Sequence, residues 1–416
     1  MKQKLLWMIA AILICGPSLF TSCSVDIADN PTPKVIDLGT VTKAFTVQDG
    51  ATLTGTLTKE IKITVADGAS IMLEDVSINE EGEVYMDSPF SGITCLGDAT
   101  ITLSGVNTIR GFHNFYPAIF VPEGHTLTIQ GDGELDVSGS GTYTVMCAAI
   151  GSVRAGAACG NLVFLGGTIY AQGGVDAAAI GASYASTCGD ITIGGTAHLS
   201  IYGGPKGAGI GTGMGPYEQM SVCGDITIGG DALVMAIGSP AIGAYYLGRC
   251  GNITIGEGAQ VFAQGIDVAP GIGCGNSYTW CKTITISGGS VIASCEDYGP
   301  GIGTSFCDYS ICEGINITGG SVIATGGEDG PGIGSGPENI FGVPIVITSD
   351  VEIVIAIRGS EQADFIGTGV GGTRGSVTID GVEDATPENE FPNFNSIVQD
   401  NKWGLINKEL AEEEIE

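Results

Sequence analysis

Positive charge is the scarcest property of this chain. Fifteen lysines and arginines stand against 46 aspartates and glutamates, a formal charge of −31 over 416 residues. So acidic a surface repels phosphate backbones, which excludes nucleic acid as a partner. Only three histidines occur. His113, His125 and His198 have no paired spacing, so each is expected as a loop or surface residue rather than a metal ligand. Neither a Gly-x-Ser-x-Gly elbow nor a Walker loop is present, which removes two common hydrolase and nucleotide-binding signatures. Long apolar runs are missing as well. The stretch Leu5 to Ile14 falls well short of the ~20 residues that span a bilayer. Sparse charge does not mean an unfolded chain here, because 43% of the residues are apolar.

Glycine is abundant instead, 69 residues. Without a collagen triplet, that many glycines point to many turns.

The first residues read as an export signal: Lys2 and Lys4, then Leu5 to Ile14, then Leu19-Phe20-Thr21-Ser22 before Cys23. The stretch from Leu19 to Cys23 resembles a lipobox, which implies removal of residues 1–22 and lipid attachment at Cys23. Residues 23–40 then read as a tether, because Asp26, Asp29, Asn30, Pro31 and Pro33 show no apolar period. Acidic residues just after the lipid cysteine resemble a surface-export signal, so the expected location is the outer membrane, lipid-anchored, facing the cell surface.

A unit recurs through the body: Cys-Gly-Asp-Ile-Thr-Ile-Gly-Gly, a short apolar stretch, then Gly-Ile-Gly. Its cysteines are Cys159, Cys188, Cys223, Cys250, Cys281 and Cys312. Its closing isoleucines are Ile150, Ile180, Ile210, Ile242, Ile272, Ile302 and Ile333, with Ile119 upstream and Ile366 downstream. Each unit holds three short strand-like pieces: Ile-Thr-Ile, as at Ile191 to Ile193; Val-x-Ala, as at Val261 to Ala263; and Gly-Ile-Gly. Pieces this short, separated by glycine, are strands of a solenoid. The expected fold is therefore all-β: a right-handed, three-sided parallel β-helix of about ten coils, repeat about 30 residues, over residues 41–382. Residues 41–91 read as irregular first coils, and 383–416 as an acidic cap or tail whose apolar residues are Phe391, Phe394, Trp403 and Leu405.

Thirteen cysteines in an exported chain raise the question of disulfides. Cys15 leaves with the signal and Cys23 carries lipid, so an odd number remains and cannot all pair internally. The six repeat cysteines are expected to stack as a buried, mostly reduced row. The rival is a few bonds between neighbouring coils, with Cys274, Cys295 and Cys307 as candidates.

Three surface features could carry function. Asp176, Asp267, Asp297 and Asp329 precede their closing isoleucines by four or five residues and should align along one edge. Clustered hard oxygens suit Ca²⁺, and an acidic solvated corner is the alternative. Asn161, Asp190, Asp225 and Asn252 form a second column, read as turn residues bonding to nearby backbone. The loops after Gly-Ile-Gly carry aromatics: Tyr184, Tyr217, Tyr245, Tyr246, Tyr278, Trp280, Phe306 and Tyr309. Such a row suits sugar rings, or simply covers the coil edge. On the second strand, Tyr170, Phe262, Ile292 and Ile323 should point outward, with Ser200 and Val234 in the same column. A stripe this apolar calls for cover, by a partner or by the C-terminal segment.

The segments Gly92-Ile93-Thr94-Cys95-Leu96-Gly97-Asp98-Ala99-Thr100-Ile101-Thr102-Leu103, Tyr116-Pro117-Ala118-Ile119 and Gly124-His125-Thr126-Leu127-Thr128-Ile129 resemble the β-helical carbohydrate-binding domain proteins of anaerobic bacteria. The likeness spans roughly residues 45–380. It implies a lipoprotein with a polysaccharide-lyase-like parallel β-helix that binds acidic plant polysaccharides with calcium. No ligand residue of that family maps onto a position here. The expected function is non-catalytic binding of a polysaccharide or host glycan, or adhesion, at the cell surface. A polysaccharide lyase or glycoside hydrolase on the same fold, and a structural surface protein without ligand, are the alternatives, because β-helices host all three.

Overall fold

The computed structural model describes residues 34–139, 146–306 and 309–409. Cys23, the signal, most of the tether, Cys307 and the last seven residues lie outside them. The described body is a parallel β-solenoid of about ten turns, with a rung spacing near 30 residues.

Apolar side chains fill each inner row, mostly of one type, because every coil repeats the same alternation in register. The Ile-Thr-Ile pieces stack Ile71, Ile101, Ile129, Phe164, Ile193, Ile228, Ile255, Ile286, Ile317, Ile347 and Ile379. All are buried. The second strand stacks Leu135, Ile169, Leu199, Val234, Val261, Val291, Val322 and Val354 in the same way. A side-chain period of two turns these residues inward and their neighbours outward.

The closing isoleucines form a separate sheet of twelve strands. The nine expected from the spacing are all present, and three rungs precede them: Phe45, Ile63 and Ile93. From Ile150 onward each isoleucine is followed by a glycine with φ between +128° and +153°. Glycine is required there because the coils approach backbone to backbone. A Cβ on Gly243 would lie 2.0 Å from the carbonyl oxygen of Gly273. Upstream rungs read Ile63-Thr64, Ile93-Thr94 and Ile119-Phe120; without the glycine, only Ile119 of these stands out by its spacing.

Beyond the three expected strand pieces, the repeat cysteines make a fourth ladder. Thr187–Cys188, Ser221–Cys223 and Gly248–Cys250 pair in sequence, and Cys250 continues onto Cys281 and Cys312. Ten cysteines of the described residues, including all six of the ladder, are buried free thiols.

Register corrects one expectation. Leu199 faces Val234, and Ser200 faces Met235. The outward residue of that coil is therefore Met235, at 46% exposure, while Val234 is fully buried. A one-residue shift exchanges the two faces of a strand. The outer stripe runs Tyr170, Ser200, Met235, Phe262, Ile292, Ile323, Ile355.

The N-terminal boundary differs from expectation, and the C-terminal segment takes the expected form of a cap. Val35–Asp37 pairs with Thr52, Leu53 and Thr54, and Leu38 is buried, so residues 35–40 belong to the body and not to the tether. The local cause is Asp37, whose Oδ1 accepts the Gly39 N–H at 2.9 Å and turns the chain onto the first coil. At the other end Phe394–Gln399 and Lys402–Asn407 form an antiparallel hairpin. Its second strand adds antiparallel to Val351–Ile357. Trp403 lands opposite Ala356, and Phe391, Phe394, Trp403 and Leu405 are all buried. The segment thus covers the last coil and satisfies its backbone edge, leaving the outer stripe uncovered.

Ile272→Ala should destabilise the body by about 2–5 kcal/mol through a core cavity, read as a lower denaturation midpoint. Gly243→Ala should lower the melting temperature despite adding only a methyl group. Deleting residues 383–416 should lower it too and promote self-association through the uncovered strand. An unchanged melting temperature and monomer fraction would show that the hairpin does not cap.

Candidate functional site

The loops that follow the Ile-Gly rungs bring five rings into one row. Tyr246 and Tyr217 lie 6.3 Å apart between centroids, Tyr217 and Tyr278 6.0 Å, Tyr278 and Tyr309 5.2 Å, and Tyr309 and Phe341 6.0 Å. The rings come from five successive coils, but Tyr217, from the coil before that of Tyr246, stands between Tyr246 and Tyr278. Tyr217 is 74% exposed, and Tyr278, Tyr309 and Phe341 are also exposed. Tyr246 donates its hydroxyl to that of Tyr217 at 3.0 Å. That bond, more than burial, pushes the Tyr246 phenol up to about 12, so this phenol stays neutral at ordinary pH. Tyr278 and Tyr309 are stacked at 6°. They turn faces toward each other, so this stretch offers ring edges and hydroxyls to a ligand.

Buried polar groups hold the loops beneath the row. The Thr279 hydroxyl lies 2.9 Å from the Asn276 carbonyl and 3.0 Å from the Ser310 hydroxyl. Asn339 donates from Nδ2 to the Ser310 carbonyl at 3.1 Å and accepts the Phe341 N–H at 2.8 Å. Tyr278 and Tyr309 sit beside these anchors with φ of +59° and +65°, a left-handed conformation that costs a bulky residue energy.

Not every expected aromatic joins. Tyr184 is half-buried with the Arg154 guanidinium 4.5 Å from its ring centre, and Phe115 also contacts that guanidinium. Tyr245 is half-buried, its N–H donating to the Thr212 hydroxyl. Trp280 faces out from the cysteine ladder, in register with Arg249 and Ile311. Its Nε1 donates to Glu313 at 3.1 Å, and the Arg249 guanidinium lies 5.3 Å from its ring centre. With Asp190, Asp225 and Lys282 these residues line a separate groove of about 490 Å³. Sequence reasoning missed Phe341. The signal was available, since it lies eight residues after Ile333, and Tyr217, Tyr278 and Tyr309 follow their isoleucines by six or seven.

The acidic edge does not converge. Asp267 and Asp297 are exposed and joined through backbone, Asp297 N–H to the Asp267 carbonyl at 3.0 Å. Asp176 and Asp329 are half-buried, and their carbonyls accept from Met214 and Val370. Among the described residues one group brings three ligand-type atoms within 4.8 Å of one another, and it is Asp67, Asp98 and His125. One oxygen of each carboxylate is already engaged. Asp67 accepts the Asp98 N–H at 2.9 Å, and Asp98 accepts the Thr126 N–H at 2.8 Å.

The second column explains that pattern. Asn161 accepts the N–H of Asp190, Asp190 that of Asp225, and Asp225 that of Asn252, at 2.7–2.9 Å. The bonds were expected within each turn; they run instead to the next coil. His113 lies in a loop, as expected, but not at the surface. It is buried, accepts the Phe115 N–H on Nδ1 at 3.1 Å, and burial lowers its pKa.

No protein-family model, curated protein or solved structure matches this chain.

Asp225→Ala removes a charge-assisted bond and should cost on the order of 1–3 kcal/mol, whereas Asp225→Asn keeps an acceptor and should cost less. Chelator should leave the melting temperature of the wild type unchanged. A fall on chelation would assign a metal to the acidic columns instead.

Proposed function

We propose that the protein is a non-catalytic glycan-binding or adhesion lipoprotein of the cell surface, held to the outer membrane through Cys23, and that the Tyr217–Tyr246–Tyr278–Tyr309–Phe341 row contacts the sugar. One observation carries the reading: five rings, four of them from tyrosine, stand in one contiguous row. Two are kept in left-handed backbone by buried anchors. The same left-handed turn recurs in the loops of other coils, at Ala155, Ala185, Leu247 and Glu338, so the turn belongs to the loop design and the contiguity of the rings carries the reading. Rigid aromatics lose little entropy on binding, and tyrosine adds a hydrogen-bonding tip to an apolar body. The spacing of 5.2–6.3 Å between rings lets consecutive rings contact consecutive units of an extended glycan. The surrounding charge favours a neutral or basic glycan, which needs no bridging cation.

A second reading rests on the Trp280 groove. It combines Arg249 and Lys282 with Asp190, Asp225 and Glu313, and a basic group beside carboxylates is what a polysaccharide lyase requires. Scanning a polysaccharide panel for both binding and release of sugar ends separates the two. Tyr278→Ala/Tyr309→Ala should weaken binding at least about tenfold, or ~1.4 kcal/mol, with Trp280→Ala close to wild type. The opposite order would move the site to the groove, and release of sugar ends would make the protein an enzyme. For the anchor, Cys23→Ser should shift the protein from the membrane to the soluble fraction, and unchanged fractionation would refute lipidation.

A further inference from the structure

The thiol ladder begins with a short sulfur–sulfur contact. Cys159 Sγ and Cys188 Sγ are 2.9 Å apart, inside the ~3.5–4.0 Å at which even carbon atoms rest against one another. Further along, Cys250 also meets the thiols of Cys223 and Cys281, and Cys281 that of Cys274, while other thiols point at backbone carbonyls. Cys147 donates to Tyr116 at 3.0 Å, Cys274 to Ile311 at 3.0 Å, and Cys312 lies 3.4 Å from the Lys282 carbonyl. Cys159 and Cys188 are joined as a parallel bridge. Neighbouring parallel strands lie ~4.8 Å apart, within the ~4.4–6.8 Å Cα separation that a disulfide spans.

We propose that Cys159 and Cys188 are an oxidation site, closing to a disulfide that clamps two neighbouring coils at the open end of the cysteine ladder.

The position gives the bond a purpose. Cys159 is the first rung of this ladder: its other bridge is antiparallel, to Pro122. Fraying of the ladder starts at such an end, and a covalent link between its first two rungs prevents it. The approach to the pair is thin. The small residues Ala155, Gly156 and Ala157 are exposed and lead directly into Cys159, while both cysteines are 1% exposed. Hydrogen bonding to Cys159, then burial, holds the Cys188 thiol well above its ordinary range. Exchange therefore proceeds when the 155–158 loop opens, or during folding.

The chemistry is thiol–disulfide exchange with a small or protein-borne disulfide as oxidant. One cysteine, as thiolate, attacks the oxidant's sulfur and forms a mixed disulfide, releasing the first oxidant thiolate. The second cysteine then attacks the bridging cysteine sulfur and releases the other. The two protein thiols lose two electrons and two protons; the oxidant disulfide takes both and leaves as two thiols.

The test is to incubate the full chain with oxidised glutathione, denature it, alkylate the remaining thiols and map peptides by mass. A protease cutting before aspartate separates Cys159 from Cys188 at Asp176, and fragmentation distinguishes Cys159 from Cys147. The expected result is one linked peptide pair joining 159 to 188, two hydrogens lighter than its reduced parts, with the other ladder cysteines alkylated. Cys159→Ala and Cys188→Ala should each abolish the link and any difference in melting temperature between oxidised and dithiothreitol-treated protein. Alkylation of both cysteines in the wild type after oxidation, or a link through other cysteines, would overturn the proposal even if the variants fail to fold.

Discussion

The rest of the structure depends on how closely the coils approach at the Ile-Gly rungs. Each glycine from Gly151 to Gly334 would place a Cβ about 2 Å from the carbonyl of the next glycine in the column, so no side chain fits and no coil can slip out of register there. With that column fixed, inward residues of successive coils fall on top of one another. Isoleucine then meets isoleucine, valine meets valine, and cysteine meets cysteine. A coil of 30 residues and one of 33 share a single register because their difference is confined to the loops between rungs. Variation in length, and with it the chance to present something to solvent, is thereby directed to a few places, chiefly the loops after the isoleucines.

The same stacking accounts for part of the acidity. A turn that sits over another turn needs an acceptor for the N–H above it, and Asp67, Asp98, Asp190 and Asp225 each supply one to the next coil. Asp49 and Asp75 do likewise for Ser70 and Val106. Carboxylates accept more strongly than amides, so aspartate predominates although asparagine serves at Asn161. These columns resemble cation sites in composition, but each aspartate turns one oxygen to a backbone donor. Acidic composition in such a solenoid is thus weak support for calcium.

Periodicity made the coil legible: the inner rows and the cysteine row follow from spacing alone, because their residues recur at fixed offsets. What was not legible depends on register. Val234 and Met235 are adjacent apolar residues, and only the pairing of Leu199 with Val234 decides which one is outside. The first rungs escaped because threonine replaces the glycine that marks the later ones, and at Phe45 phenylalanine replaces the isoleucine as well. In the aromatic row, the tyrosines were visible as a group, but ring contacts divide them by direction. Trp280 is two residues from Tyr278 and faces another groove, since it belongs to a strand rather than the loop.

That division bears on how a solenoid can bind anything. Its strands are constrained on both sides by neighbouring coils, so a side chain on a strand is placed accurately but spaced at the coil rise. A loop ring can deviate from that rise, and the row does: Tyr278 and Tyr309, one coil apart, have centroids 5.2 Å apart, and Tyr217 and Tyr278, two coils apart, only 6.0 Å, against ~4.8 Å per coil between strands. The buried hydroxyls of Thr279 and Ser310 and the amide of Asn339 are what convert such freedom into a fixed arrangement. They tie each loop to its neighbour rather than only to its own coil. Loss of one anchor would therefore loosen two rings. The row behaves as a unit whose geometry is set by polar contacts beneath it, while the apolar core sets only the track on which it lies.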